Sequence, residues 1–136
     1  MSMVGCVFCA IVGGEGSSYP VAESDGALAF LDINPATEGH TLVIPKTHAD
    51  DIFDLDPDDG RSVWGLAQDV ASLLQDRLKP DGLTLFQANG KSGWQHVFHF
   101  HLHVVPRRAG DALQRPWEMS PGDPAALTDV SERLRR

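Results

Sequence analysis

Residues 97–104 read Val97-Phe98-His99-Phe100-His101-Leu102-His103-Val104, an unbroken alternation of apolar and histidine side chains. Successive side chains of a strand point to opposite faces. The pattern therefore predicts a strand over 97–105 with His99, His101 and His103 on one face. Phe98, Phe100, Leu102 and Val104 form the other face, which reads as core. Three imidazoles in a row are a poor choice for a merely buried surface, because each carries two ring nitrogens that need partners away from water. Two chemistries suit them. Neutral imidazoles ligate zinc, and an imidazole can attack an electrophilic phosphorus while its neighbours orient it. The spacing alone leaves both open. A metal-dependent hydrolase centred on the three histidines is disfavoured, since it would want an interleaved Asp or Glu and the strand has none.

The rest of the chain supplies partners for that strand. A chain of 136 residues is the length of one domain, taken as 1–136. Residues 6–12 read as a helical turn stopped by Gly13-Gly14. Runs at 21–24 and 27–32 flank Asp25-Gly26, a hairpin signal. Residues 40–45 (HTLVIP) form a β-rich run after the break at Asn34-Pro35, and Ile52, Phe53 and Leu55 suggest a brief helical turn. The long helix is expected over 58–78. Val63, Leu66, Val70, Leu73, Leu74 and Leu78 recur at steps of three and four, Asp56-Pro57 starts it and Pro80 stops it. Another strand is expected over 83–88, ending at Asn89-Gly90, and a short terminal helix from Pro124, capped by Asp123. Strands around one long helix with tight hairpins make an α+β fold.

Charge narrows the function. A formal net charge of −8 argues against non-specific nucleic-acid binding, which depends on neutralising phosphates. It leaves room for a small phosphate ester, which needs only local donors. No apolar run approaches the roughly 20 residues of a membrane span. The N-terminal MSMVGCVFCAIVGG has no Lys or Arg before its short apolar stretch, unlike a secretory signal. A cytoplasmic protein is expected, with neither a membrane nor a nucleic-acid partner. Cys6 and Cys9 are the two cysteines. In a reducing compartment their spacing suggests metal or redox chemistry, or two small buried side chains on a helical turn.

Taken together, four segments resemble the histidine triad (HIT) superfamily of nucleotide hydrolases and transferases, of the bacterial Hint-like kind. They are Cys6-Val7-Phe8-Cys9 with Ala10-Ile11-Val12, then Phe30-Leu31-Asp32-Ile33-Asn34-Pro35. After these come Gly39-His40-Thr41-Leu42-Val43-Ile44-Pro45-Lys46-Thr47-His48 and the run from Gln95 to Val104. They lie in the family's order within residues 6–108, leaving 109–136 as a variable tail. The resemblance implies a HIT-like antiparallel sheet of about five strands with one long helix and short terminal helices. It implies His101 as the nucleophile that forms a nucleotidyl-imidazole, with His103 and His40 orienting it and contacting phosphate. It also implies Gln95 near the scissile bond, Asp32 on ribose hydroxyls, Ile33 against the base and Asn89 facing the nucleotide. Asp32 alone reads as a turn former and Asn89-Gly90 as a turn.

Cys6 and Cys9 match the family pair that joins two histidines, here His48 and His99, around a structural zinc. The expected substrate is a nucleoside 5′-phosphoramidate or dinucleoside polyphosphate built on a purine nucleotide such as AMP or GMP, and the expected assembly is a homodimer. The alternative is a nucleotide- or zinc-binding regulator without significant turnover. Two residues depart from the pattern on the leaving-group side. Trp94 replaces a small residue, and His96 replaces a Ser or Thr. Trp117 in the tail is a candidate for a dimer edge.

Overall fold

The computed structural model describes residues 3–136. Its order is α1 (Val7–Val12), β1 (Pro20–Glu23), β2 (Ala27–Leu31), β3 (Thr41–Pro45), α2 (Pro57–Leu78), β4 (Gly82–Gln87), a 3-10 turn at Lys91–Gly93, β5 (Leu102–Arg107) and α3 (Pro124–Leu134). The five strands form one antiparallel sheet in the order β1-β2-β3-β5-β4. This is the expected α+β architecture with one long helix and shorter ones near each end.

Local chemistry explains the elements. Asp25 and Gly26 turn the first hairpin, closed by the Ser24 N–H on the Ala27 carbonyl at 2.9 Å. Asp56 caps α2 by accepting the Asp58 N–H at 2.8 Å, with Pro57 in the first turn. Lys79 ends α2 in a left-handed conformation, φ 50°, which Pro80 then prevents from resuming as helix. Along β3 every residue is buried, because the strand is covered on both sides. Val43 packs with Val63, Leu66, Val70 and Leu74 of α2, while Leu42 and Ile44 pack with Phe8 and Phe30 on the other face. Each fully buried aliphatic side chain contributes about 1.5–3 kcal/mol.

The same alternation orients β5. Leu42 lies opposite His103 in the register, and cross-strand partners share a face. His103 thus points away from α2, while Leu102 and Val104 join the α2 core.

Two expectations are corrected. The strand expected over 97–105 starts only at Leu102. Strand β4 ends at Gln87, opposite Leu102, so nothing on that side pairs with residues 97–101. Their polar groups turn elsewhere: the Phe100 N–H reaches the Ala49 carbonyl at 2.7 Å. Phe98 consequently sits exposed and outside the core, although Phe100 is buried in it. The stretch around Ile52, Phe53 and Leu55 is a turn, not a helix. Asp51 Oδ1 accepts the Phe53 and Asp54 N–H groups at 3.0 and 3.2 Å and holds it closed.

Candidate functional site

The bend at 97–101 separates the histidines that alternation would have aligned. His99 turns into a cluster with α1, whereas His101 and His103 line a cavity on the sheet face away from α2.

In the first group, Cys6 Sγ, Cys9 Sγ, His48 Nδ1 and His99 Nδ1 lie within 4.8 Å of one another. The α1 turn brings the two cysteines together, with Cys6 capping the helix through its sulfur on the Cys9 N–H at 3.3 Å. His48 follows β3. Both histidines have their Nδ1 freed by a bond at the other nitrogen. His99 Nε2–H donates to the Pro45 carbonyl at 2.8 Å, and His48 Nε2–H donates to Asp50 Oδ1 at 2.7 Å. Such an outer partner fixes the tautomer a metal needs.

The spacing also fits. Tetrahedral zinc, at about 2.3 Å from sulfur and about 2.0–2.1 Å from nitrogen, sets ligand nitrogens about 3.3 Å apart and nitrogen from sulfur about 3.6 Å. Here the nitrogens are 3.2 Å apart, and three of the four nitrogen–sulfur separations are 3.3, 3.4 and 3.5 Å. Two thiols and two imidazoles of this spacing can hold a four-coordinate zinc ion. Burial pushes the Cys9 thiol pKa up and the His99 pKa down, so without a cation the cluster favours neutral groups.

The second group lines a cavity of about 690 Å³. His101 is buried, with Phe8 edge-on to it at a centroid distance of 5.2 Å. Its Nδ1–H donates to the His99 carbonyl at 2.7 Å. In the neutral ring that bond leaves Nε2 as a lone pair. Burial holds His101 below the usual histidine pKa, against the opposing pull of the His99 carbonyl.

A chain of hydrogen bonds fixes the neighbours. His40 Nδ1 accepts the Ala36 N–H at 2.9 Å, so its proton sits on Nε2 and points to His103 Nδ1 at 2.9 Å. His103 therefore carries its own proton on Nε2, a donor with no protein acceptor among the described residues. Burial first, then His101 and His40, push the His103 pKa down to about 3. Burial also lowers the His40 pKa, while Asp32, with Oδ2 at 3.5 Å from His40 Nε2, opposes that shift. At neutral pH the site holds neutral imidazoles: one acceptor at His101 and one donor at His103.

Asp32, Ile33, His40, His101 and His103 all line this cavity. Asp32 does two things at once. Oδ1 closes the turn by accepting the Asn34 N–H at 2.8 Å, and Oδ2 remains near His40. Gln95 and Asn89 are not brought into the lining. Buried Gln95 braces its loop: Nε2 donates to the Asp50 and Val97 carbonyls at 2.6 and 3.0 Å, and Oε1 accepts the Gly90 N–H at 2.8 Å. Asn89 Oδ1 accepts the Ile52 N–H at 2.8 Å and ties the same loop to the turn before α2. Trp94 and His96 do line the cavity.

Three contributors escaped the sequence reading. Phe86 stacks on His103 at 4.0 Å and 9°. Its signal is the outward position of an apolar residue near the end of β4. Asp50 orients His48, signalled only by a carboxylate two residues away. Phe8, between the cysteines, is the wall against His101.

Comparison with known proteins agrees with this geometry. A family model of the HIT domain matches residues 14–110. The chain belongs to the HIT family. It is 35% identical over 134 residues to the Bacillus subtilis protein called Protein hit, covering 96% of this chain and 92% of that one. Among solved structures it is similar to a Zn-bound histidine triad family protein from Mycobacterium smegmatis, with a TM-score of 0.77 and 39% identity over 95% of this chain and 97% of that one. It is also similar to a histidine triad nucleotide-binding protein from Candida albicans. That likeness has a TM-score of 0.86 and 28% identity over 96% of this chain and 95% of that one. Among the described residues of this HIT protein, no helix is long and apolar enough to cross a membrane.

Proposed function

We propose that this HIT protein is a nucleotidyl hydrolase or transferase that cleaves a nucleoside 5′-phosphoramidate or a dinucleoside polyphosphate through a nucleotidyl-His101 intermediate. The observation that carries this reading is the His101 Nδ1–H bond to the His99 carbonyl, which leaves Nε2 unprotonated in the cavity. The Nε2 lone pair attacks the α-phosphorus and forms an N–P bond. The P–N or P–O bond to the leaving group breaks in line, and the leaving group departs with a proton from solvent. Water then attacks phosphorus, loses a proton to solvent, and displaces His101 with the N–P electron pair.

His103 donates Nε2–H to a phosphoryl oxygen as charge develops there, and His40 keeps that proton on the right nitrogen. Asp32 accepts ribose hydroxyls and Ile33 lies against a purine base, as in AMP or GMP. Gln95 and Asn89 serve this site by bracing the loop beside the leaving group. The nucleotide-binding name of the Candida albicans neighbour supports a nucleotide as the ligand. Rapid quench of a phosphoramidate reaction followed by peptide mass analysis tests the route. A nucleotidyl mass on the peptide containing His101 is expected. Product formation with no adduct at any time point would exclude the covalent path.

The Cys6, Cys9, His48 and His99 cluster is proposed to hold a structural zinc ion, which takes no part in any step because four protein ligands close its coordination. The Zn-bound neighbour from Mycobacterium smegmatis supports this.

A homodimer in the cytoplasm is also proposed. Strand β4 is a sheet edge, and Trp117, Met119, Leu127 and Leu134 are exposed apolar side chains of the tail that a second copy can cover. Sedimentation velocity at micromolar concentration should give a dimer, and a monomer there would remove this assembly.

A further inference from the structure

Trp94 is the one bulky side chain placed where the backbone favours glycine beside the proposed reaction centre. Its φ of 77° is left-handed, and its indole is 66% exposed. A bulky residue in that region is a genuine outlier, and such outliers persist only where the surroundings impose them. The surroundings here do so. The Trp94 N–H bonds to the Lys91 carbonyl at 3.0 Å, the Gln95 N–H to the Gly90 carbonyl at 3.0 Å, and buried Gln95 braces the loop on both sides. The ring itself has no aromatic or hydrogen-bonding side-chain partner among the described residues. A rigid loop thus holds an unpartnered indole on the cavity that His101 and His103 line.

Its position along the sheet says which part of a substrate it meets. Thr41 pairs with Val104, and Gln87 pairs with Leu102. The β2–β3 loop carrying Asp32 and Ile33 therefore lies beyond one end of the reacting histidines, and the β4–β5 loop carrying Trp94 lies beyond the other. In the reading above, the nucleoside occupies the Asp32 and Ile33 end. In-line displacement at His101 sends the leaving group away from the attacking nitrogen, toward the remaining bank of the cavity.

We propose that Trp94 is a specificity-determining residue whose indole stacks on a planar aromatic leaving group. That group is either an arylalkyl amine or the second base of a dinucleoside polyphosphate. The proposal rests on the assignment of the cavity to nucleotidyl chemistry. Stacking on an aromatic side chain tolerates different rings, since every ring has a π face, which is why both sources share one site.

The test compares two adenosine 5′-phosphoramidates, one with an indolylethyl amine and one with a hexyl amine, and an adenosine dinucleotide against adenosine triphosphate. Trp94→Gly suits the left-handed backbone, so it should fold at least as stably as the parent. It is expected to lower the aryl-to-alkyl ratio of kcat/KM about tenfold, the scale of one lost base stack. Trp94→Phe should restore most of the ratio. A parallel fall in the dinucleotide-to-triphosphate ratio would show that a second base uses the ring, and a fall confined to the amine pair would identify the amine. Ratios unchanged by Trp94→Gly would overturn the proposal. Titration calorimetry of both phosphoramidates into His101→Ala and into the double variant His101→Ala, Trp94→Gly asks the same question without turnover. If the parent hydrolyses nothing, the nucleotidyl reading fails, but lost aryl selectivity in the double variant still supports the stacking site, and retained selectivity refutes it.

Discussion

Replacing His101 with alanine is expected to lower kcat/KM for a nucleoside phosphoramidate by at least about a thousandfold, because removing a nucleophile removes the covalent route itself. Binding of AMP should persist. Asp32, Ile33, His40 and His103 reach the cavity from other positions, and the His40–His103 hydrogen bond does not involve His101. The substitution does leave space beside Phe8, whose ring lies 5.2 Å from the imidazole, so some stability will be lost. His101→Asn, which fills more of that space, separates the two effects: both variants should be inactive while the asparagine form melts closer to the parent. Activity within tenfold of the parent in either would show that another group attacks phosphorus. Nucleotide titration calorimetry, run beside the rate measurements, distinguishes a lost nucleophile from a collapsed pocket.

The contrast with Gln95 sharpens this expectation. Its side-chain amide is engaged by Gly90, Asp50 and Val97. It holds the loop that carries Trp94, and in the proposed mechanism it meets the reaction only through that loop. His101 has one ring nitrogen committed to the His99 carbonyl and the other uncommitted. That accounting of hydrogen bonds, and not the residue types, separates a bracing side chain from the proposed nucleophile.

Much of the fold was legible from periodicity. The three- and four-residue recurrence of Val63, Leu66, Val70 and Leu74 marked the buried stripe of α2, and Asp25-Gly26 marked the first hairpin. The joint motifs marked the cavity residues Asp32, Ile33, His40, His101 and His103. The bend at 97–101 was not legible. Alternation assigns faces only while the strand continues, and continuation depends on where β4 ends, a non-local fact. Phe98 was therefore expected in the core and stands outside it, whereas Leu102 and Val104, inside the paired segment, behave as the pattern requires. Gln95 and Asn89 mark a second limit. A motif places a side chain near a site, but its orientation follows from which backbone groups are left unpaired, and here Gly90, Asp50 and Ile52 supply those groups.

Loss of the proposed zinc ion carries the other large expected effect. Purified without added metal, the protein should contain about one zinc per chain, and Cys9→Ser should lower that content sharply. Stripping the metal with a chelator should destabilise the fold by about 4 kcal/mol, the stabilisation given by a ligand present at a thousand times its Kd. Melting should move down by about ten degrees or more. The reason is local: three segments, α1, the stretch after β3 and the bent segment at 97–101, converge on these four side chains. Asp50→Ala removes only the acceptor of the His48 Nε2–H and should weaken zinc binding about ten- to a hundredfold against a competing chelator. A parent that lacks zinc, or that melts unchanged after stripping, would leave the cluster as ordinary packing. The effect should also reach the proposed nucleophile without the metal touching substrate. His99 offers Nδ1 to the cluster and its carbonyl to His101 Nδ1–H. Releasing the His99 ring frees that carbonyl to shift, so the stripped protein should lose kcat before it loses nucleotide affinity. Equal losses in both would instead point to general unfolding of the cavity.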